Sequence, residues 1–280
     1  MTSNLRKIMF WIAGILVLFV FLLLSGCALV QGSFYYPLRG ESRYTPQSAW
    51  LVYEEAYFPS VDGARLHGWF IPAVGARRGV VLHVHGNGGK LENHLGGILW
   101  LPAEGYAVFT FDYRGYGLSE DKRPTPKALM EDTQSAIAYL QRREDVAAQK
   151  ILLLAQSLGG NNAIAALANT KFDDIAGMVL DSTFYSYKSI ADDKMAGAGF
   201  FISDRYSASR HIRKLAPLPL FFLHGDQDRV IPWQHSQKLY ERAAQSPRQI
   251  HILPGVTHLS ALENPEVRAA VLRFFAESLQ

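Results

Sequence analysis

The chain has 280 residues, one cysteine and a formal net charge of +3, of which Arg6 and Lys7 near the N-terminus contribute two. A lone thiol excludes a disulfide framework within the chain. The near balance of acids and bases, with no basic run, gives no footing for a nucleic-acid partner.

The first element is a leader. Arg6 and Lys7 are followed by an uninterrupted apolar stretch, Ile8 to Leu24, that ends in Leu24-Ser-Gly-Cys27. The pattern resembles a bacterial lipoprotein signal, in which Cys27 becomes the first mature residue and carries lipid. An ordinary secretory signal would show small residues of the A-x-A kind at the cut. The apolar stretch is also near spanning length, so an uncleaved transmembrane anchor stays open. Either way the basic flank remains inside and the rest of the chain lies outside the cytoplasm, in the cell envelope. The expected organisation is a signal over 1–26, a lipidated tether over 27–46 and a globular domain over 47–280. The tether includes Phe34-Tyr-Tyr-Pro37, an aromatic run that packs on the domain or sits at the lipid interface. A flexible chain of that length spans on the order of 25 Å.

Strands are expected over 51–59, 66–72, 80–85, 107–112, 150–155, 176–181, 218–224 and 248–253. The first two, separated by Val-Asp-Gly-Ala, read as an antiparallel hairpin. The later ones are continuous apolar runs, as parallel strands covered on both faces require. Helical stripes lie between them, one through Leu129, Thr133, Ala136, Ile137 and Leu140, the last through Val267, Ala270, Val271, Phe274 and Phe275. Alternating strands and helices specify a doubly wound α/β sheet. The interval 182–216 leaves room for a minimal helical cap, with Tyr185 and Tyr187 as candidates for a pocket rim.

The chemistry centres on Ala-Gln-Ser157-Leu-Gly-Gly, which follows the apolar strand at 150–155 and opens a helical stretch. A strand, a serine between small residues and a helix make a nucleophile elbow, with the hydroxyl raised at a helix N-terminus. Ala155 stands where such a turn usually has glycine. A serine needs a base, and the base an orienting carboxylate. Two later strands end in loops that carry them: His224-Gly-Asp-Gln-Asp228-Arg-Val-Ile-Pro, with acids at 226 and 228, and Gly255-Val-Thr-His258. Both fall past the carboxyl ends of strands, where open α/β sheets place their sites.

These segments, with His85-Gly-Asn-Gly-Gly, Asp112-Tyr-Arg-Gly-Tyr-Gly-Leu-Ser and Asp181-Ser-Thr-Phe, resemble the α/β-hydrolase superfamily over roughly residues 50–280. Within it the chain is similar to the small, nearly lidless serine hydrolases of the bud-emergence-protein-like group. The resemblance implies an α/β-hydrolase fold, a mostly parallel eight-stranded sheet with helices on both faces. It implies Ser157 as nucleophile, His258 as general base and Asp228 as the acid, with Asp226 as competitor and Asp181 as a weaker one. It also implies an oxyanion hole from the backbone N–H groups of Leu158 and Asn87, with Gly88 as a neighbouring candidate.

Other readings of the same residues are thinner. His83 and His85 share a strand face, but no carboxylate or cysteine cluster accompanies them as metal ligands. Gly86-Asn-Gly-Gly-Lys90 lacks the Ser or Thr of a phosphate loop, and Arg114 reads as a structural ion pair. The expected function is an envelope-anchored serine hydrolase of acyl esters or thioesters, with a small-molecule or lipid substrate and no cofactor or metal. A serine peptidase of the same fold and a non-catalytic binding protein are the alternatives.

Overall fold

Eight of the expected runs form one sheet in the computed structural model, which describes residues 35–146, 149–170 and 172–280. Cys27 and the apolar leader lie outside the described residues. In chain order the strands are β1 (Glu54–Pro59), β2 (Arg65–Ile71), β3 (Gly79–Val84), β4 (Tyr106–Asp112), β5 (Ile151–Gln156), β6 (Ile175–Asp181), β7 (Leu220–Gly225) and β8 (Arg248–Leu253). Their spatial order is β8-β7-β6-β5-β3-β4-β2-β1. Only β2 runs against its neighbours; β3 to β8 are parallel. The β1–β2 hairpin turns at Gly63, whose φ of 82° is a conformation other residues adopt at a cost.

The burial patterns explain the pairing. Along β1 only Ala56 and Phe58 point inward, as an edge strand with one wet face requires, whereas β3, β4, β5 and β7 are buried throughout. Among the described residues the two faces are covered by α1 (Pro126–Arg142), α2 (Leu158–Asn169), α4 (Gln234–Arg242) and α5 (Pro265–Ser278), while α3 (Tyr187–Lys194) lies in the connection between β6 and β7. Thr125 caps α1 by accepting the Ala128 N–H, with Pro126 at the first helical position, where no N–H is needed. The expected stripe from Leu129 to Leu140 is buried. On this face Tyr139 of α1 stacks on Phe58 and meets Phe109 at a tilt, and Tyr240 of α4 meets Phe222 edge-on. On the other face Val267, Val271, Phe274 and Phe275 of α5 join Val81, Val108, Leu152 and Phe221 in one apolar cluster. Each such side chain removed from water stabilises the fold by roughly 1.5–3 kcal/mol.

Arg114 is structural, as the sequence suggested. It donates to Asp132 on α1 at 2.7 Å and to Asp62 at 2.7 Å, and Ser60 Oγ donates to Asp132 at 2.6 Å. The cap is small: α3, a short turn at Ala198–Phe201 and one helical turn at Ala208–His211. Tyr187 does not reach a rim. It is buried against Phe184, while Tyr185 is half-buried. Among the described residues no helix is long and apolar enough to cross a membrane.

One boundary differs from expectation. The tether was expected to run to residue 46, but residues 36–280 form one compact unit. Tyr36–Pro37 pair in parallel with Gly88–Gly89.

Candidate active site

Ser157 occupies the single residue between β5 and α2, with φ 53° and ψ −118°. A non-glycine residue at positive φ costs about 1–3 kcal/mol and persists where its surroundings over-determine it. Here they do. The Ser157 N–H is held by the Asp181 carbonyl of β6 at 2.8 Å, and the following glycines admit no side chain. A Cβ on Gly159 would lie 2.0 Å from the Val84 carbonyl oxygen, and one on Gly160 2.0 Å from Thr183 Oγ1. Ala155, in place of the usual glycine, is fully buried on β5 between Val84 and Leu180, and its methyl fits. Leu158 opens α2, so its N–H has no acceptor within the helix. The loop after β3 closes over this turn: a Cβ on Gly86 would stand 3.4 Å from both Ser157 Cβ and His94 Cε1.

Asp228 and His258, the expected acid and base, lie on the loops after β7 and β8. His258 Nδ1 lies 2.6 Å from Asp228 Oδ2. Asp228 Oδ1 accepts the N–H groups of Val230 and Ile231 at 2.8 and 2.9 Å. A second histidine shares this carboxylate. His224 Nε2 lies 3.1 Å from Asp228 Oδ2 and 2.9 Å from the Ile231 carbonyl. Both are acceptors, so Nε2 carries the hydrogen, and His224 Nδ1 accepts from Ser236 Oγ at 2.7 Å. Burial pushes the Asp228 carboxyl up, but hydrogen bonds from His224, His258 and the Ile231 N–H outweigh it and hold the group well below the usual carboxylate range. Leu259, beside the base, is also at positive φ, 61°. Asp226 does other work: its Oδ1 accepts the Gly255 N–H at 2.7 Å and ties the two loops together.

Beneath Ser157 runs a buried polar chain. Gln156 Nε2 donates to Asp181 Oδ2 at 2.9 Å, which leaves its Oε1 to accept from His83 Nε2 at 3.0 Å. His83 Nδ1 then accepts from Thr110 Oγ1 at 2.9 Å. Asp181 is thus an acceptor for Gln156 and Ser182, and burial raises its carboxyl. The loop after β3, where the oxyanion donor is expected, has its own props. His85 Nδ1 lies 2.7 Å from the Gly86 carbonyl, His94 Nε2 2.7 Å from the Gly88 carbonyl, and Tyr113 Oη donates to the His85 carbonyl at 2.9 Å. The His85 and His94 rings stack with centroids 4.8 Å apart. His83 and His85 are thereby engaged in hydrogen bonds. Among the described residues no three His, Cys, Asp or Glu side chains are grouped to hold a metal.

This arrangement predicts a pH response. Burial pulls the His83 imidazole down to about 3 and also lowers His85 and His94. A histidine with a depressed folded pKa takes up its proton more readily in the unfolded chain. Stability therefore falls as pH drops below the unfolded value of about 6.5 and continues to fall towards the folded value, by up to about 1.4 kcal/mol per pH unit per group. Thermal melts are expected to show a falling Tm from pH 7 to about pH 4.5, with a shallower slope in His94→Gln. Equal slopes in the two proteins would show that His94 is not held neutral.

A cavity of about 280 Å³ opens beside His258, bordered also by Gln156, His94, Leu259, Leu262 and Glu263. His94, Gln156 and His224 were not singled out as site residues by sequence. Gln156 and His224 stand within motifs and His94 outside them, but nothing in their spacing shows what each touches.

A family model described as serine aminopeptidase, S33, matches residues 75–204 and 197–265, which take in Asn87, Ser157, Asp228 and His258. The protein YfhR of Salmonella typhimurium is 42% identical over 263 residues, 88% of each chain. Protein bem46 of Schizosaccharomyces pombe is 30% identical over 206 residues, 72% of this chain and 68% of that one. Among solved structures, the Pyrococcus furiosus esterase Pf2001 superposes with a TM-score of 0.74 over 87% of this chain and 100% of that one, at 22% identity. A likeness at that identity carries the fold and not the substrate.

Proposed function

Since this chain belongs to the serine aminopeptidase S33 family of the α/β-hydrolase superfamily, we propose that it is a serine hydrolase cleaving acyl esters or thioesters through an acyl-enzyme. The observation that carries the reading is the 2.6 Å bond between His258 and Asp228, on loops that leave the carboxyl ends of their strands as the strained Ser157 does. In this reading Asp228 holds His258 as the Nδ1–H tautomer, which leaves Nε2 as the base. Nε2 takes the Ser157 hydroxyl proton as Oγ attacks the acyl carbon. The Leu158 and Asn87 N–H groups receive the oxyanion. Collapse of the tetrahedral adduct expels the alcohol or thiol, which takes its proton from His258. Water, deprotonated by the same imidazole, then frees the acid and Ser157.

The cap and the 280 Å³ cavity at His258 suit a small or flexible acyl substrate reached from solvent. Peptidase action is the second reading, favoured by the family's name. The test is hydrolysis by the purified full chain of nitrophenyl esters and acyl thioesters of increasing length against aminoacyl nitroanilides. Higher kcat/KM for the esters and thioesters is expected; higher kcat/KM for the anilides would make the chain a peptidase. No turnover of any of them and no fluorophosphonate labelling would leave a non-catalytic binding protein.

We also propose that Cys27 carries lipid and holds the enzyme in the envelope. The motive is a sole cysteine placed directly after a basic and apolar leader. One acyl chain binds a bilayer only marginally, and two or more anchor stably. Wild-type protein is expected to incorporate labelled palmitate and to stay with membranes in high salt. Cys27→Ser is expected to accumulate as a longer precursor. Mature wild-type protein that retains its first 26 residues by mass spectrometry would instead support a transmembrane anchor.

A further inference from the structure

We propose that residues 36–44 are a working part of the active site: they form a strap that holds the oxyanion loop in the shape that presents the Asn87 N–H. The proposal rests on the serine-hydrolase reading and goes beyond it. The strap precedes residue 75, where the family match begins.

The loop itself cannot supply the order its task needs. Three of the residues from 86 to 90 are glycines, and Gly89 is at φ 84°. Glycine lets the backbone approach a substrate, but it also loses the most conformational freedom when fixed. An oxyanion donor works only if it is already aimed when charge develops. On the inner side His85, His94 and Tyr113 hold the carbonyls of Gly86, Gly88 and His85. The strap supplies the outer side.

Tyr36 and Pro37 lie in parallel register with Gly88 and Gly89, and the Leu38 N–H donates to the Gly89 carbonyl at 2.9 Å. The Tyr36 N–H donates to Asn87 Oδ1 at 3.3 Å, an oxygen that also accepts from Tyr116 Oη at 3.0 Å. Asn87 is therefore fixed through its side chain from the strap on one side and the Tyr116 turn on the other. The strap is in turn fastened to that turn: the Gly117 N–H donates to the Leu38 carbonyl at 2.8 Å, and the Gly40 N–H to the Gly117 carbonyl at 3.0 Å.

The loop's far end is locked in the same way. Lys90 is 6% exposed, and its ammonium donates to the carbonyls of Gly40, at 3.2 Å, and Glu41. The Glu92 carboxylate accepts the N–H groups of Arg43 and Tyr44 and lies 3.4 Å from Lys90 Nζ. A buried lysine bonded to backbone carbonyls is an expensive way to fasten a surface segment unless the fastening matters. Together these contacts run from Asn87 to Glu92, the whole length of the loop beyond Gly86.

The experiment uses the full chain and short nitrophenyl esters. Leu38→Pro deletes the N–H given to Gly89, and Leu38→Ala keeps it with the same exposed side chain trimmed. Lys90→Met deletes the ammonium, and Lys90→Arg restores a cationic donor. Leu38→Pro and Lys90→Met are expected to lower kcat about ten- to a hundredfold, short of the loss from deleting an oxyanion donor outright. KM should move less than about threefold and Tm little, because uniform binding and the core are untouched. Leu38→Ala, which keeps the N–H, is expected to lose far less kcat than Leu38→Pro, and Lys90→Arg to recover most of the lost kcat. Unchanged kcat in both deleting variants overturns the proposal. So does a loss of kcat that follows the loss of Tm in both, since that assigns the strap to folding alone. Wild-type chain that neither turns over esters nor labels with fluorophosphonate overturns the hydrolase reading instead, and the strap's catalytic role with it.

Discussion

Replacing Ser157 by alanine is expected to abolish covalent labelling by a fluorophosphonate and to lower kcat on acyl esters by about 10⁵–10⁶, the scale on which loss of a serine nucleophile is felt. The substitution isolates chemistry from folding. Alanine meets the same backbone penalty at φ 53° as serine does. The bond from its N–H to the Asp181 carbonyl is kept, and Gly159 and Gly160 still fit against Val84 and Thr183. Tm should therefore hold within about a degree or two, since changes without a named structural cause seldom exceed ±0.5 kcal/mol. The Leu158 N–H is also kept, so residual catalysis from the oxyanion hole is expected to survive above the rate in water. Labelling of the variant at the wild-type rate would remove Ser157 from the mechanism.

How far the sequence reached follows from what each signal is made of. The central strands were legible because burial on both faces writes an unbroken apolar run, and β3 to β7 fall within two residues of their expected limits. The edge was less so. β1 begins at Glu54, three residues later than expected, since its partner ladder ends with Glu54 opposite Phe70 and Pro72 has no N–H to extend it. Ser157, Asp228 and His258 stood out because each sits in a short motif at a strand's end, and the structure brings Asp228 and His258 within 2.6 Å of one another. What else they touch was not legible. His224 and Asp228 are four residues apart across a loop, and nothing in that spacing foretells two histidines on one carboxylate. The strap was the least legible part. Its bonds are backbone to backbone, or backbone to side chain, across about fifty residues. Such pairing leaves no period in the sequence, so the segment looked like linker.

Asp228→Asn is expected to lower kcat by about 10⁴, as a wrong histidine tautomer does in serine proteases, and Asp226→Asn by far less. The two aspartates differ in what they accept. Asp228 receives His258 at 2.6 Å, His224 at 3.1 Å, and two backbone N–H groups. An amide there cannot satisfy all four donors. Whichever way it turns, its NH₂ faces an N–H or forces His258 to present a lone pair at Nδ1, and the hydrogen moves to the nitrogen that should act as base. Asp226 accepts a single backbone N–H, from Gly255. An asparagine carbonyl keeps that bond, so only a surface charge is lost. The substitutions should separate by pH as well. A carboxyl held below its unfolded pKa contributes stability above about pH 4, and that contribution is lost as pH falls through the folded value. Asp228→Asn is therefore expected to melt lower than wild type at pH 7, with the gap closing below about pH 4. Paired kinetics and melts of the two variants check both parts. A larger kcat loss for Asp226→Asn would move the acid two residues along the loop and leave Ser157 and His258 in their roles.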